Sequence, residues 1–312
     1  MGLTVAGSVH EVYKRRRTPD SFEHGGQGMD KKQILDLIES YRTESGLNRI
    51  SGEKALSPEL KGMEIFAPAI AGTASADDPA FFLLKRREAV GGHFLLPREW
   101  LPGPRSVVSF FLPFTERVRK TNAASGPEPS PEWLHGRIEG QEFIDRLSRI
   151  LVERLREEGG DAVSPSVDER FASCTVRNTV FLDGNGTPFP VTFTSNWSER
   201  HVAFICGLGT FGLSRGLITS RGVAGRFGSV ITTLPMTPDN VVPEDLYGNC
   251  TLCGECAAKC PAGAISLEKG KNHVLCAEYL DLMKEKHSPR YGCGKCQVGI
   301  PCESAVPEKH GG

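Results

Sequence analysis

Eight of the ten cysteines in this 312-residue chain fall between Cys250 and Cys302, and only Cys174 and Cys206 precede them. No other feature limits the fold as strongly. A secreted disulfide scaffold is normally a short chain with cysteines throughout. A long cysteine-poor body with a short cysteine-dense tail points instead to thiolate-bound metal in a reducing compartment. Charge and hydropathy narrow the classes further. Charged residues make up 24% of the chain and the formal net charge is -1, so whole-chain electrostatics give no case for nucleic acid or an anionic membrane. The mean hydropathy is -0.25. The best apolar stretches, 106–114 and 202–213, are far short of a spanning helix. The basic cluster Lys14–Arg17 runs into Thr18–His24 with no apolar segment behind it, so an export signal is not expected. The expectation is a soluble, cytoplasmic chain with no membrane contact.

Within the tail, Cys250, Cys253, Cys256 and Cys260 follow C-x2-C-x2-C-x3-C, with Pro261 next. That is the spacing of the bacterial two-cluster ferredoxins. Two-residue gaps let three thiolates on one tight loop reach three irons of one [4Fe-4S] cubane, while the fourth cysteine turns toward a different cluster. Pro261 stands where a helix start tolerates a missing N–H. Such a run asks for a second group, and Cys276, Cys293, Cys296 and Cys302 supply one. The assignment that uses all eight puts cluster one on Cys250, Cys253, Cys256 and Cys302, and cluster two on Cys260, Cys276, Cys293 and Cys296. A zinc ribbon is the competing use of Cys-x2-Cys pairs, but it needs two pairs, not a triple followed by Cys-Pro. Cys302 departs from the ferredoxin form: residues 297–301 separate it from Cys296, and Pro301 precedes it.

The remainder divides into a disordered extension over 1–28, an α/β cofactor or substrate domain over 29–240, and the ferredoxin-like two-cluster domain over 241–312. Residues 30–41 carry a helical apolar face with Asp30 as N-cap. The strongest helical stripe runs from 139 to 158 and stops at Gly159-Gly160. A short helix is expected over 198–206, capped by Ser198 or Asn196. Strands are expected over 106–114, 179–182 and 227–234, with a turn at 183–186 and a loop over 122–132.

Gly207, Gly209 and Gly212 satisfy the literal G-x-G-x-x-G pattern. A dinucleotide fingerprint should follow a strand and open a helix, with an acid about 20 residues on. Here a helix precedes, and no Asp or Glu occurs between Glu199 and Asp239. Three close glycines either admit a large flat ligand against the backbone or form a tight turn. On the first reading they are cofactor-binding candidates together with the adjoining Asn196 and Cys206. Glu199 and His201 are the candidate proton donors, against a solvated helix face as the plain alternative. Cys174 and Cys206 read as small buried hydrophobes.

Residues 198–212, then Leu217–Thr219, Gly228–Thr232 and Leu234-Pro235, resemble the central segment of epoxyqueuosine reductases and reductive dehalogenases. The stretches 275–280 and 291–297 are similar to the epoxyqueuosine reductase tail. The resemblance implies an α+β chain: a nitroreductase-like α/β body that binds a base-off corrinoid, next to two [4Fe-4S] clusters that feed it electrons. It also implies an aspartate proton donor before the glycine loop, but its place falls near Phe193, where no acid stands. The family's helical-repeat domain that helps hold tRNA has no counterpart after Cys302, and tRNA gains no support as a substrate.

The expected function is therefore an iron–sulfur oxidoreductase, epoxyqueuosine reductase-like, passing electrons from a low-potential ferredoxin or flavodoxin to a corrinoid (cobalamin) or to a substrate. The acceptor is a small molecule or a corrinoid protein. Two alternatives stand beside it: a non-catalytic two-cluster carrier or corrinoid-protein activator, and a flavin-dependent reductase.

Overall fold

The computed structural model describes residues 29–173, 181–182, 188–189, 194–239 and 245–308. The expected extension over 1–28, Cys174, most of the 179–182 strand, the turn at 183–186 and the position of Phe193 lie outside the described residues.

In chain order the elements are α1 (Lys31–Glu44), β1 (Ile70–Ser75), α2 (Pro79–Leu83), α3 (Pro97–Trp100), β2 (Ser106–Pro113), α4 (Glu116–Ala124), α5 (Pro131–Glu157), β3 (Ala162–Val163), β4 (Phe181–Leu182), β5 (Pro188–Phe189), α6 (Glu199–Ile205), β6 (Gly209–Phe211), β7 (Leu217–Thr219) and β8 (Gly225–Thr232), followed in the tail by α7 (Glu255–Ala258), β9 (Ile265–Ser266), β10 (Gly270–Lys271) and α8 (His273–His287).

The body is built on one sheet in the order β1-β2-β8-β3, antiparallel throughout. Every residue of β2 is buried, because both faces of the strand are covered. Val108, Phe110 and Leu112 point to a core shared with Ile34 and Ile38 of α1 and Phe143, Ile144 and Leu147 of α5. Val107 and Phe111 point the other way, to a core shared with Trp197 and with Val202 and Phe204 of α6. Successive side chains of a strand face opposite ways, so a strand between two helical layers reads as an unbroken apolar run. With an antiparallel sheet the body is α+β, not βαβ.

The helix expected over 139–158 begins eight residues earlier, at Pro131. Ser130 caps it by accepting the Trp133 N–H at 3.2 Å, and Pro131 fills a first-turn position that has no use for its N–H. The helix runs through Gly136 and Gly140 because Phe114 and Phe66 fill the space their side chains would need.

The tail is fastened to the body at several points. Val223 N donates to the Cys302 carbonyl at 2.9 Å, and Ala224 N to that of Glu303 at 3.2 Å. The Glu303 carboxylate pairs with Arg119 of α4 at 2.5 Å. Asn122 donates to the Cys293 carbonyl at 2.9 Å, and buried Lys295 donates to the Asn122 carbonyl at 2.5 Å.

Candidate functional site

The eight tail cysteines fall into two groups. Cys250, Cys253, Cys256 and Cys302 line one small cavity, walled by Leu213, Ile218 and Ile300. Cys260, Cys276, Cys293 and Cys296 line a second, much larger cavity of about 1410 Å³. Cys256 and Cys260 sit one helical turn apart on and just after α7, and each faces a different cavity. Leu252 and Gly254, with φ of 53° and 79°, give the loop its tight curl.

Burial, reinforced by the neighbouring thiols, pushes Cys256 and Cys302 up to about 12. In the second group burial likewise raises Cys293, to about 12, and raises Cys296. Four thiols crowded into apolar surroundings ionise readily only beside a cation, and iron supplies one. Among the described residues, no three His, Cys, Asp or Glu close on one point as the ligands of a single metal ion do. The thiols stand around cavities instead, and a four-iron cube is ligated at its corners.

The large cavity exceeds the usual span of a small-molecule pocket, roughly 300–1,000 Å³. One wall is the second cysteine group with Tyr279, Tyr291, Lys271 and His273 of the tail. Another is α5, which presents Trp133, Arg137, Gln141 and Asp145. The first turn of α6 adds Glu199, Arg200 and His201, and Arg226 and Phe227 come from β8. Gly294 carries φ of 70°, and its Cα lies so close to the Trp133 ring that a Cβ would stand 1.9 Å from Cζ2. The loop bearing Cys293 and Cys296 is thereby seated directly on α5.

Glu199 is the distinctive group. Both carboxylate oxygens are buried, and the side chain that favours their charge is the Ser229 hydroxyl. Burial pushes its pKa up to about 7, with Ser229 opposing and Asp145 adding to the rise. His201 moves the other way. Burial, together with Arg200 and Arg215, pushes it down to about 4, and its Nδ1 lies 2.7 Å from the Ser198 hydroxyl. Near neutrality Glu199 has a proton to give and His201 is a neutral imidazole. Arg200 is exposed and lines the cavity.

None of the three glycines of the loop lines the large cavity, which the loop meets through Phe211. Gly207 ends α6 with φ of 76°. Gly209 opens β6, where a Cβ would stand 2.1 Å from the Ile218 carbonyl oxygen of β7. The close approach expected of these glycines is made to the chain's own hairpin, and Gly212 lines the small cysteine cavity. Two further candidates lie away from the large cavity. The Asn196 side chain is committed at both ends, accepting from Ala172 N at 2.9 Å and donating to the Arg170 carbonyl at 2.8 Å. Cys206 is buried against β2, with its thiol 3.6 Å from the Val107 carbonyl. Neither lines the large cavity.

Arg137, Gln141, Asp145, Arg226 and Tyr291 were not among the sequence candidates. The first three recur every four residues, a polar stripe that flanks the apolar face of α5. That stripe could be found once the start of the helix is set at Pro131.

Residues 245–266 match the family model of the 4Fe-4S binding domain. No curated protein matches the chain. Among solved structures the chain is similar to an epoxyqueuosine reductase with a tRNA-Tyr epoxyqueuosine-modified stem loop, at 19% identity, covering 88% of this chain and 66% of that one, with a TM-score of 0.45. It is similar to an epoxyqueuosine reductase from Bacillus subtilis at 19% identity, covering 90% and 70%, with a TM-score of 0.41. A catabolic reductive dehalogenase matches at 16% identity, covering 88% of this chain, with a TM-score of 0.48. This chain spans 37% of that dehalogenase's length.

Proposed function

We propose that the chain is an iron–sulfur reductase, a divergent relative of the epoxyqueuosine reductases and reductive dehalogenases, with two [4Fe-4S] clusters and a corrinoid in a nitroreductase-like body. One observation carries the reading: Cys260, Cys276, Cys293 and Cys296 form a wall of the same 1410 Å³ cavity into which Glu199 is built. A redox centre in the wall of a cavity can reduce whatever is bound there without any part of the protein moving.

Cys250, Cys253, Cys256 and Cys302 would hold the first cluster and the other four cysteines the second. The clusters supply one-electron steps at low potential. Cys253 is exposed, so a low-potential ferredoxin or flavodoxin of the cytoplasm would deliver electrons at the first group. A corrinoid fits the large cavity by volume and by the buried polar atoms of Glu199 and Trp133 that line it, which suit an amide-fringed ring. When bound, it supplies a cobalt centre that is strongly nucleophilic in its reduced form. The remaining work falls to the chain. Phe204, Phe211 and Phe227 give the cavity an apolar lining from which a bound ring would displace water. Arg200, beside Cys276 and Cys296, offsets negative charge arriving at the second group. Glu199 stores a proton at its carboxyl and releases it as the substrate is reduced.

The test is anaerobic purification after supplying cobalamin, followed by assay of iron, sulfide, cobalt and flavin per chain. About eight irons with one cobalt is the expected result. Eight irons with stoichiometric flavin would replace the corrinoid, and eight with neither would make the chain an electron carrier. Bound zinc with little iron after reconstitution would sink the cluster assignment.

A further inference from the structure

We propose that Arg137, Arg200 and Arg226 form an oxyanion-recognition corner of the large cavity, which holds a carboxylate or phosphate group of the substrate; the proposal rests on that cavity being the reaction site. The three guanidinium groups come from α5, α6 and β8, and all line the cavity. They are near enough to repel one another: Arg137 and Arg200 both disfavour the charge on Arg226, and Arg137 disfavours that on Arg200.

Little in the protein answers that charge. Arg226 gives one Nη2–H to the neutral Gln141 side chain. Arg137 lies over the Tyr291 ring at 4.8 Å. Asp145 is the nearby acid, but burial raises its own pKa, against a pull from Arg226 and Arg149. The Nε atoms of Arg137 and Arg226 are both buried and have no hydrogen-bond partner among the described residues. A buried donor left unsatisfied destabilises the fold, and more so when it is charged. Such a corner is stable when an anion fills it. Guanidinium is suited to that use, because its planar fork meets two oxygens of a carboxylate or phosphate at once.

Two rival uses are open to experiment. Arg200 lies beside Cys276 and Cys296, so the arginines could serve the charge of the second cluster. The phosphate of a corrinoid's nucleotide loop could also occupy the corner. Inorganic phosphate and benzoate are titrated in turn, by calorimetry, into the iron-loaded protein alone, with cobinamide, which lacks that phosphate, and with cobalamin, which has it. The variants are R137Q, R226Q and the charge-preserving R226K, with iron content and melting temperature as controls on folding.

The expected result is saturable binding of at least one probe, unaffected by either corrinoid. It should weaken at least tenfold in R137Q and R226Q and by less in R226K. Binding of neither probe to the wild type overturns the proposal. So does loss of binding with cobalamin but not with cobinamide, which would give the corner to the cofactor. Unchanged binding in the variants with a shifted midpoint potential of the second cluster would give it to the cluster. If R137Q and R226Q do not fold, R226K decides, and wild-type affinity there overturns the use of the fork. Should the protein bind phosphate yet hold no corrinoid, the function proposed above fails while the corner stands.

Discussion

Arg290 of the tail grips both carboxylate oxygens of Glu139 on α5, each at 2.6 Å. His135, one turn back on the same helix, holds one of those oxygens from the other side at 2.8 Å. Burial alone would raise the Glu139 pKa, but the hydrogen bonds from His135 and Arg290 outweigh it and bring it down to about 2. The pair is the main charged clamp between the tail and the wall of the large cavity.

The first prediction concerns this clamp. Glu139 titrates near 4.5 when unfolded and near 2 when folded. Its contribution is therefore complete above pH 4.5 and is lost as pH falls toward 2, about 3 kcal/mol in all. R290Q leaves a buried carboxylate short of its main partner and should cost about 3–5 kcal/mol at pH 7. Denaturant melts at pH 7 and pH 3 check both statements, and the gap between wild type and variant should shrink at the lower pH.

Glu199 gives the opposite sign. Its folded pKa, about 7, lies above the unfolded 4.5, so the folded state binds the extra proton between those values. Stability should fall as pH rises through that window, and the penalty is full above pH 7. E199Q removes it. The variant should be more stable than wild type by about 3 kcal/mol at pH 8 and nearly equal to it below pH 4.5. In turnover, E199Q should lose at least tenfold in rate, and the wild-type rate should decline above pH 7 as the donor ionises.

Loss of single cysteines should sort iron by cavity. C302A removes a side chain of the small cavity, and C276A one of the large cavity. Each should lower iron from about eight to about four per chain. C206A should leave iron unchanged, because its thiol faces the Val107 carbonyl in the body. Iron assay after anaerobic reconstitution checks all three.

Gly209→Ala places a methyl 2.1 Å from the Ile218 carbonyl oxygen. The β6–β7 hairpin must open to admit it, and overpacking of this kind costs about 1–3 kcal/mol. The melting temperature should fall while corrinoid binding per folded molecule is kept. Loss of corrinoid binding at unchanged stability would restore the loop as a ligand site.

What the sequence made legible follows from how local its signals are. Cysteine spacing is a local property, and its two groups line two separate cavities in the structure. The run 106–114 reads as a strand because apolar residues on both faces leave no alternation to miss. The beginning of α5 is hard to see because Ser130-Pro131 sits at the end of a polar stretch that resembles a loop, although serine followed by proline is itself a helix-start signal. The glycine loop was ambiguous for a physical reason. Close approach of backbone to backbone and close approach of backbone to a ligand require the same residues. Arg226 could not be found at all, since its role depends on β8 lying beside α5 and α6, a long-range fact.

Cys256 and Cys260 bear on how dependable such a protein would be. The four-residue step from Cys256 in α7 to Cys260 just beyond it advances roughly 6 Å where the chain is helical, and that length is set by the local conformation of one short segment, not by packing between layers. A change in the body that leaves this segment folded would reshape the large cavity and keep that step in place.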